Sequence, residues 1–455
     1  MDKPWLKSYE AGVPEDIPYP EGMLLHHLLE QSAARFPNRP ATILPAAVGR
    51  NLYERRLSFR DLERLANRFA NGLRAMGVQK GDRVALLLPN SPQFVIAYFG
   101  VLKMGAIAVA LDPLSSSAEI ESHLIDCAAE TVVTMSKYYP TVKQVQANTH
   151  VTRVVTTHIK EYFHPLAHLF FTLAQEKQEG FRVSLDRRDY SFRLMLQHSP
   201  DVRPQVSLAP DDAALLQYTR GSNGAPLGAI LTHRNIVSAC LSSAAWRPEA
   251  IPGREAALCI SPFFEPYGML VALLTHVLGG GALILLPKFD LAHALAAIDK
   301  YRPTVLPGIP SFYASLVHNP LVAKHNLHSI QVYLGGSGPV ADEVHALFEA
   351  NGGQLVETFG IAEAVGLTHA NPIHGVRKAG SIGLPVPGIA ARIVDSDFPG
   401  RILPIGGVGA LALQGASVFK SYWNRQNEAN KRFYEGWLVT SIRARMDEDG
   451  FFYVV

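Results

Sequence analysis

Short apolar runs of strand type alternate with helical patterns along most of this chain. That alternation limits the fold more than any other feature, because it implies parallel sheets covered by helices. "GDRVALLLPN" predicts a short buried strand, "SPQFVIAYFGVLKMGA" a helix and "IAVALDP" the next strand. Ahead of them, "SFRDLERLANRFANGLRAMGV" sets Leu62, Leu65, Phe69 and Leu73 on one helical face. Ser58 can cap that helix, and Asp61 three residues on gives a capping-box-like start. The composition suits such a fold. Hydrophobic residues make up 48% and charged residues 18%, below the roughly 25% charged of average soluble chains. Deeply buried parallel strands need that balance.

The pattern resumes after about residue 210. "AALLQY" reads as a strand, followed by a glycine loop and the helix "THRNIVSACLSSAAW", which Thr232 can cap. "ALCISPF", "GALILLP", "TVLPGIP", "QVYLGGSGP" and "QLVETFG" read as further strands. From about residue 380, short strands between Gly/Pro turns predict a small β-rich unit. The expected division is a first α/β subdomain over 1–205, a second over 206–378 and a β-rich subdomain over 379–455. "YGMLVALLTHVLGGGALILLP" is apolar for the length of a membrane span, but Gly279, Gly280 and Gly281 interrupt it. Helix, glycine turn and buried strand is the expected reading.

A helical insertion is predicted near 159–180, within "EYFHPLAHLFFTLAQEKQEGFRVSL". Pro165 can start it, and Leu166, Leu169, Phe170 and Leu173 recur at helical spacing. One reading is an amphipathic surface helix that meets lipid or an acyl chain. The other is an ordinary packed helix, since apolar stripes usually face a core.

The formal net charge is +2 with no basic or acidic block, so nucleic acid has no support as a partner. Cys127, Cys240 and Cys259 share no metal spacing and fit buried thiols in a reducing compartment. The N-terminus has no apolar h-region, and the expected location is cytoplasmic, with peripheral contact at the inner membrane face if the 159–180 helix meets lipid.

"TRGSNGAPLGAILTH", Thr219–His233, is a Gly/Ser loop between strand and helix. Backbone N–H groups of such a loop can converge on anionic oxygens, although a surface turn has the same composition. Continued to "TRGSNGAPLGAILTHRN", the segment resembles the phosphate loop of the adenylate-forming (AMP-binding) superfamily. Further similarities follow in the family's order. They are "NSPQFVIAYFGVLKMGAIAVALDPL", "RPTVLPGIPSFYASL", "GSGPV" at the adenine-facing loop, "ETFGIAEA", "GSIGLPVPG" and "EGWLVTSIRARMDEDGFFYVV". Within the superfamily the chain looks most like the N-terminal domain of bacterial long-chain fatty-acyl-CoA ligases.

That resemblance implies an α/β fold of two stacked parallel-sheet subdomains with a small β-barrel. The family's mobile C-terminal domain is expected to be absent, since the chain ends at Val455. It implies ATP/AMP, magnesium and coenzyme A as cofactors and a fatty acyl ligand. Carried over residue by residue, it assigns Glu363 as the magnesium ligand and catalytic position, with Thr219 and His233 beside it. Thr219, Gly221, Ser222, Asn223, Gly224, Gly228, Gly336, Ser337, Gly338, Phe359 and Gly360 take the nucleotide-binding positions.

The departures fall on polar positions. Leu227 stands where the family has the loop lysine, and Arg220 is the nearby cation that could substitute. Glu265 replaces a histidine, Phe359 a tyrosine, and Ala362 a threonine that bonds phosphate. Ile442 replaces the aspartate that grips the ribose hydroxyls, and an isoleucine side chain accepts no hydrogen bond. Two expectations follow. One is a degenerate, non-catalytic subunit on the ligase fold, pairing with a protein partner such as an intact ligase paralogue or sheltering an acyl ligand. The other is an active fatty-acid adenylating enzyme.

Overall fold

Two parallel sheets form the body of the molecule, and each draws strands from both halves of the chain. The computed structural model describes residues 3–49, 51–220, 225–317, 319–336, 338 and 340–455, without the side chain of Arg220. Among these, the first sheet has seven strands in the order Tyr190–Ser191, Arg153–Thr157, Thr131–Met135, Arg83–Leu87, Ile107–Ala110, Ala213–Arg220 and Pro226–Thr232. All its pairings are parallel except the last. The second sheet has nine strands, running from Leu384–Pro385 to the edge hairpin Pro40–Val48 and Asn51–Ser58.

The segments expected as 1–205 and 206–378 therefore exchange strands. Pro40–Val48 pairs in parallel with Ala282–Leu285 (Thr42 opposite Leu283). Ala213–Arg220 pairs in parallel with Ile107–Ala110 (Ala108 opposite Leu215). A parallel pair needs a crossover connection, so chain order does not fix sheet membership. Helix Pro92–Lys103 is buried along its whole length, which explains why its sequence lacks an amphipathic stripe.

Local signals hold where capping decides the element. Ser58 Oγ accepts from the Asp61 amide at 3.1 Å, and the Asp61 carboxylate accepts from the Ser58 amide. Helix Phe59–Ala75 then buries Leu62, Phe69 and Leu73. Gly268–Leu278 is helical, and strand Ala282–Leu285 follows the glycine triplet. No helix among the described residues is long and apolar enough to cross a membrane. The β-rich end is a curled antiparallel sheet: Ile389–Val394, Gly409–Gly415, Trp437–Met446 and Phe433–Tyr434, with Phe452–Val454 paired to Trp437–Met446.

Two local expectations change. The chain does not pass straight from the glycine loop into a helix, because Pro226–Thr232 is a strand antiparallel to Ala213–Arg220. Leu227, Ala229 and Leu231 alternate inward along it, a period of two that the short window hid. In the 159–180 insertion, helix Pro165–Phe170 runs into a π-type turn, Phe171–Gln175. It buries Ala167 and Phe171, whereas Leu169 and Leu173 are 57% and 78% exposed. The apolar stripe faces outward, and the face that packs is set by the Ala167–Phe171 pair, four residues apart.

Candidate active site

Strands Ala213–Arg220 and Pro226–Thr232 bring Thr219 opposite Leu227 and Tyr218 opposite Gly228. Gly221, Ser222, Asn223 and Gly224 lie outside the described residues. Leu227 is 5% exposed and belongs to the main apolar core. Gly228 lies under the Tyr218 ring, and its carbonyl accepts from the Trp423 amide at 2.7 Å.

A cleft of about 340 Å³ opens beside Thr219 and Pro226. It is lined by Asp112, Glu119, His123, Gln217, Tyr218 and Glu265 among others, with no lysine or arginine among the described lining residues. Burial, and secondly the Asp112 charge, pushes the Glu265 carboxyl above its ordinary range. Burial lowers His123, which favours the neutral imidazole. Tyr218 donates to Asp126 at 2.7 Å, and Arg425 holds the other Asp126 oxygen at 3.1 Å. Asp112 and Glu265 place carboxyl groups rather than cations along this wall.

Glu265 also lines a smaller space of about 110 Å³ with Tyr267, Thr358, Gly360, Ile361 and Ala362. The backbone of Gly360 lies against Gly366, where a Cβ would come within 2.3 Å of the Gly366 carbonyl carbon. Phe359 ends strand Gln354–Phe359 and pairs with His369. Gly336 sits under the Tyr267 ring, and Gly338 has φ +152°. Ser337 lies outside the described residues.

Glu363 follows in a 3₁₀ turn, Ala362–Ala364, and is buried. Its Oε1 accepts from the Tyr422 hydroxyl at 2.6 Å and lies 3.5 Å from Arg432 Nη1. Phe419 N–H donates to the Glu363 carbonyl at 2.7 Å. Both contacts fall on the same carboxylate oxygen, one a hydrogen bond and one an ion pair, and Ala362 beside it offers no side-chain oxygen. Ile442 lies on strand Trp437–Met446 and packs against the main core.

His233 stands apart from these clefts. It is 1% exposed, its Nδ1 accepts from the Leu25 amide at 3.1 Å, and its ring is 6.1 Å from that of His26. The neighbouring motif residues tie elements together. Thr232 and Asn235 form a reciprocal cap, and Asn235 Nδ2 donates to the carbonyls of Ala416 and Val418 at 2.7 and 3.1 Å.

A larger apolar cavity of about 490 Å³ lies among segments from both sheets and the insertion. Ala46, Pro89, Tyr138, Phe163, Phe171 and Phe264 are among its walls. Its size falls within the roughly 300–1,000 Å³ of small-molecule sites. Sequence reading missed it, because its walls come from distant segments with no motif of their own. The 159–180 insertion was the one linear signal pointing there.

The sequence and the fold match known proteins. Residues 29–423 match the family model described as AMP-binding enzyme. The long-chain-fatty-acid–CoA ligase of Bacillus subtilis (strain 168) is 37% identical over 455 residues, covering 99% of this chain and 80% of that protein. That of Yersinia pestis is 33% identical, covering 100% and 80%. Among solved structures, a long-chain-fatty-acid-CoA ligase (FadD1) from Archaeoglobus fulgidus has a TM-score of 0.83 at 22% identity, covering 98% of this chain and 86% of that one. The anthranilate CoA ligase AuaEII in complex with anthranoyl-AMP has a TM-score of 0.82 at 22% identity, covering 96% and 78%. The chain belongs to the AMP-binding enzyme family, and within it to the long-chain fatty-acid–CoA ligases. Membership implies ATP or AMP, magnesium and coenzyme A as the family's ligands.

Proposed function

We propose that this chain is a non-catalytic member of the long-chain fatty-acid–CoA ligase family that binds a fatty acyl ligand without adenylating it. The observation that carries the reading is the cleft beside Thr219, where Asp112 and Glu265 line the wall and the described lining carries no lysine or arginine. Adenylation collects negative charge in its transition state, and preorganised positive groups are commonly the largest catalytic term. Leu227 in the core, Ala362 in the turn and Ile442 against the core supply none. The cavity walled by Ala46, Tyr138 and Phe171 is the acyl site in this reading.

The test is fatty-acid-dependent pyrophosphate release with ATP and magnesium, beside binding of a fluorescent fatty acid. The expected result is binding without release. Turnover by the unaltered chain overturns the reading. Release gained by Leu227→Lys, Ile442→Asp and Glu265→His together would show a sound scaffold with a disarmed site.

The exposed face Leu166, Leu169, Phe170 and Leu173 supports a second feature, contact with a lipid surface next to the acyl cavity. The same helix turns Ala167 and Phe171 into the cavity wall. One element then meets lipid on one side and an acyl chain on the other.

A further inference from the structure

The apolar cavity walled by Ala46, Tyr138 and Phe171 also carries a half-buried cation, Lys137. We infer that Lys137 holds the carboxylate of an acyl ligand in this cavity, selecting a free fatty acid and keeping its carboxyl group out of the Thr219 cleft. The inference rests on the reading that this cavity takes an acyl chain.

Topology places the cavity where ligands sit in such folds. Asn90, Leu114, Lys137 and Ile159 each line it just past the carboxyl end of a parallel strand of the seven-stranded sheet. Ile260 and Leu286 do the same for the nine-stranded sheet. The crevice beyond the carboxyl ends of strands is the general binding position in open α/β sheets. Lys137 stands in the 3₁₀ turn Ser136–Tyr138 that leaves strand Thr131–Met135.

The charge pattern then selects the headgroup. Among the described residues Lys137 makes no ion pair or hydrogen bond, and its Nζ lies 5.6 Å from the centroid of the Phe181 ring, another cavity wall. A lysine stem lies readily along such an apolar wall while its ammonium seeks a polar partner. Partial burial strengthens its attraction for an anion above that in bulk water. Lys288, the other lining cation, is exposed, where solvent and salt weaken the same attraction. Two carboxylates share the lining. Asp290 caps a helix, its Oδ1 accepting from the His293 amide at 2.8 Å, and Glu179 makes no ion pair with Lys137. Both repel an anion from their own parts of the wall, which leaves the ligand carboxylate one half-buried cation to meet.

That position separates the carboxyl group from the nucleotide side. Among the described residues, Phe264 is the one wall that the cavity and the Thr219 cleft share, and Lys137 does not line the cleft. An acid held at Lys137 is bound with its reactive end outside the cleft, which is how binding occurs without adenylation.

The experiment is calorimetric titration of the full chain with dodecanoate and with dodecanol, which share a chain and differ in the headgroup. Lys137→Met should weaken dodecanoate about tenfold and leave dodecanol within about twofold of wild type. Lys137→Arg should keep dodecanoate binding, and Lys288→Met should weaken it less than Lys137→Met. Glu265→Lys, which adds a cation to the cleft, should leave dodecanoate affinity unchanged. An equal loss of both ligands in Lys137→Met would give Lys137 a structural role only and overturn the inference. Unchanged dodecanoate binding in Lys137→Met overturns it too, as does tightening in Glu265→Lys, which would put the carboxyl group in the cleft. In these cases the chain still binds and the acyl reading stands. Failure of the wild type to bind either ligand overturns both.

Discussion

The ring of Tyr267 lies against the backbone of Gly336 so closely that a Cβ on residue 336 would come within 2.6 Å of it. The ring cannot retreat freely, because its hydroxyl donates to the Leu334 carbonyl at 2.7 Å. The glycine assigned to the nucleotide loop therefore also has a packing role. Gly336→Ala should destabilise the fold by about 1–3 kcal/mol. Tyr267→Leu with Gly336→Ala should cost less than the sum of the single changes in urea unfolding. Additive losses would show that the two residues do not press on each other.

Buried histidines should make the fold sensitive to acid. Burial lowers His233 and His276 from 6.5 to about 4 and His369 to about 3. A depressed folded-state value favours the neutral ring. The associated stability is complete above about pH 6.5 and is lost as pH falls towards 4. A shift of that size corresponds to about 3 kcal/mol per histidine at the acid end of the window. The melting temperature should be level above pH 6.5, fall steeply below it, and fall less steeply in His233→Gln. A level profile down to pH 4.5 would contradict this account.

Lys103 is fully buried, and its ammonium bonds Glu30 at 2.7 Å and Glu63 at 2.8 Å. Arg203 shares Glu30 at 2.9 Å. Lys103→Met leaves Glu63 without its cation and Glu30 with half of its charge balance. Breaking one side of a buried pair typically costs about 3–5 kcal/mol. Denaturant unfolding should show a loss in that range, largely recovered when Glu63→Gln is added. A loss below about 1 kcal/mol, the level of an exposed pair, would mean that water reaches the site.

The outward face of the insertion should be dispensable for folding and needed for lipid contact. Leu169→Glu with Leu173→Glu should leave the melting temperature unchanged, since both side chains are mostly exposed. The same pair should lower flotation with anionic liposomes several-fold. Phe171→Glu is a poor probe of that surface. Phe171 is buried against Phe163 and Phe181, and the change should unfold the insertion. Equal flotation of wild type and the Leu169/Leu173 variant would remove the lipid reading.

Much of the fold was legible because its determinants are local. Ser58 with Asp61 and Thr232 with Asn235 announce helix starts within four residues, and the structure closes both boxes. Part of the candidate site was legible in residue identity. Leu227, Ala362 and Ile442 carry no polar side chain in any conformation, so their identities alone rule out side-chain hydrogen bonds at those three positions. His233 shows the limit of motif transfer. It lies in the right stretch of sequence, but the tertiary structure turns its ring towards Leu25 and His26.

Sequence by itself determined the family and the parallel-sheet class. These follow from residue identity, short-range periodicity and motif order. Tertiary structure alone decided that Pro40–Val48 joins Ala282–Leu285, that Leu169 and Leu173 face outward, and that Asp112 and Glu265 share one cleft. It also decided that Arg432 meets Glu363. Each of these relationships joins segments far apart in the chain or depends on which helix face packs. The energies that select them, burial of apolar area and pairing of buried charge, act through space and leave no local trace in the sequence.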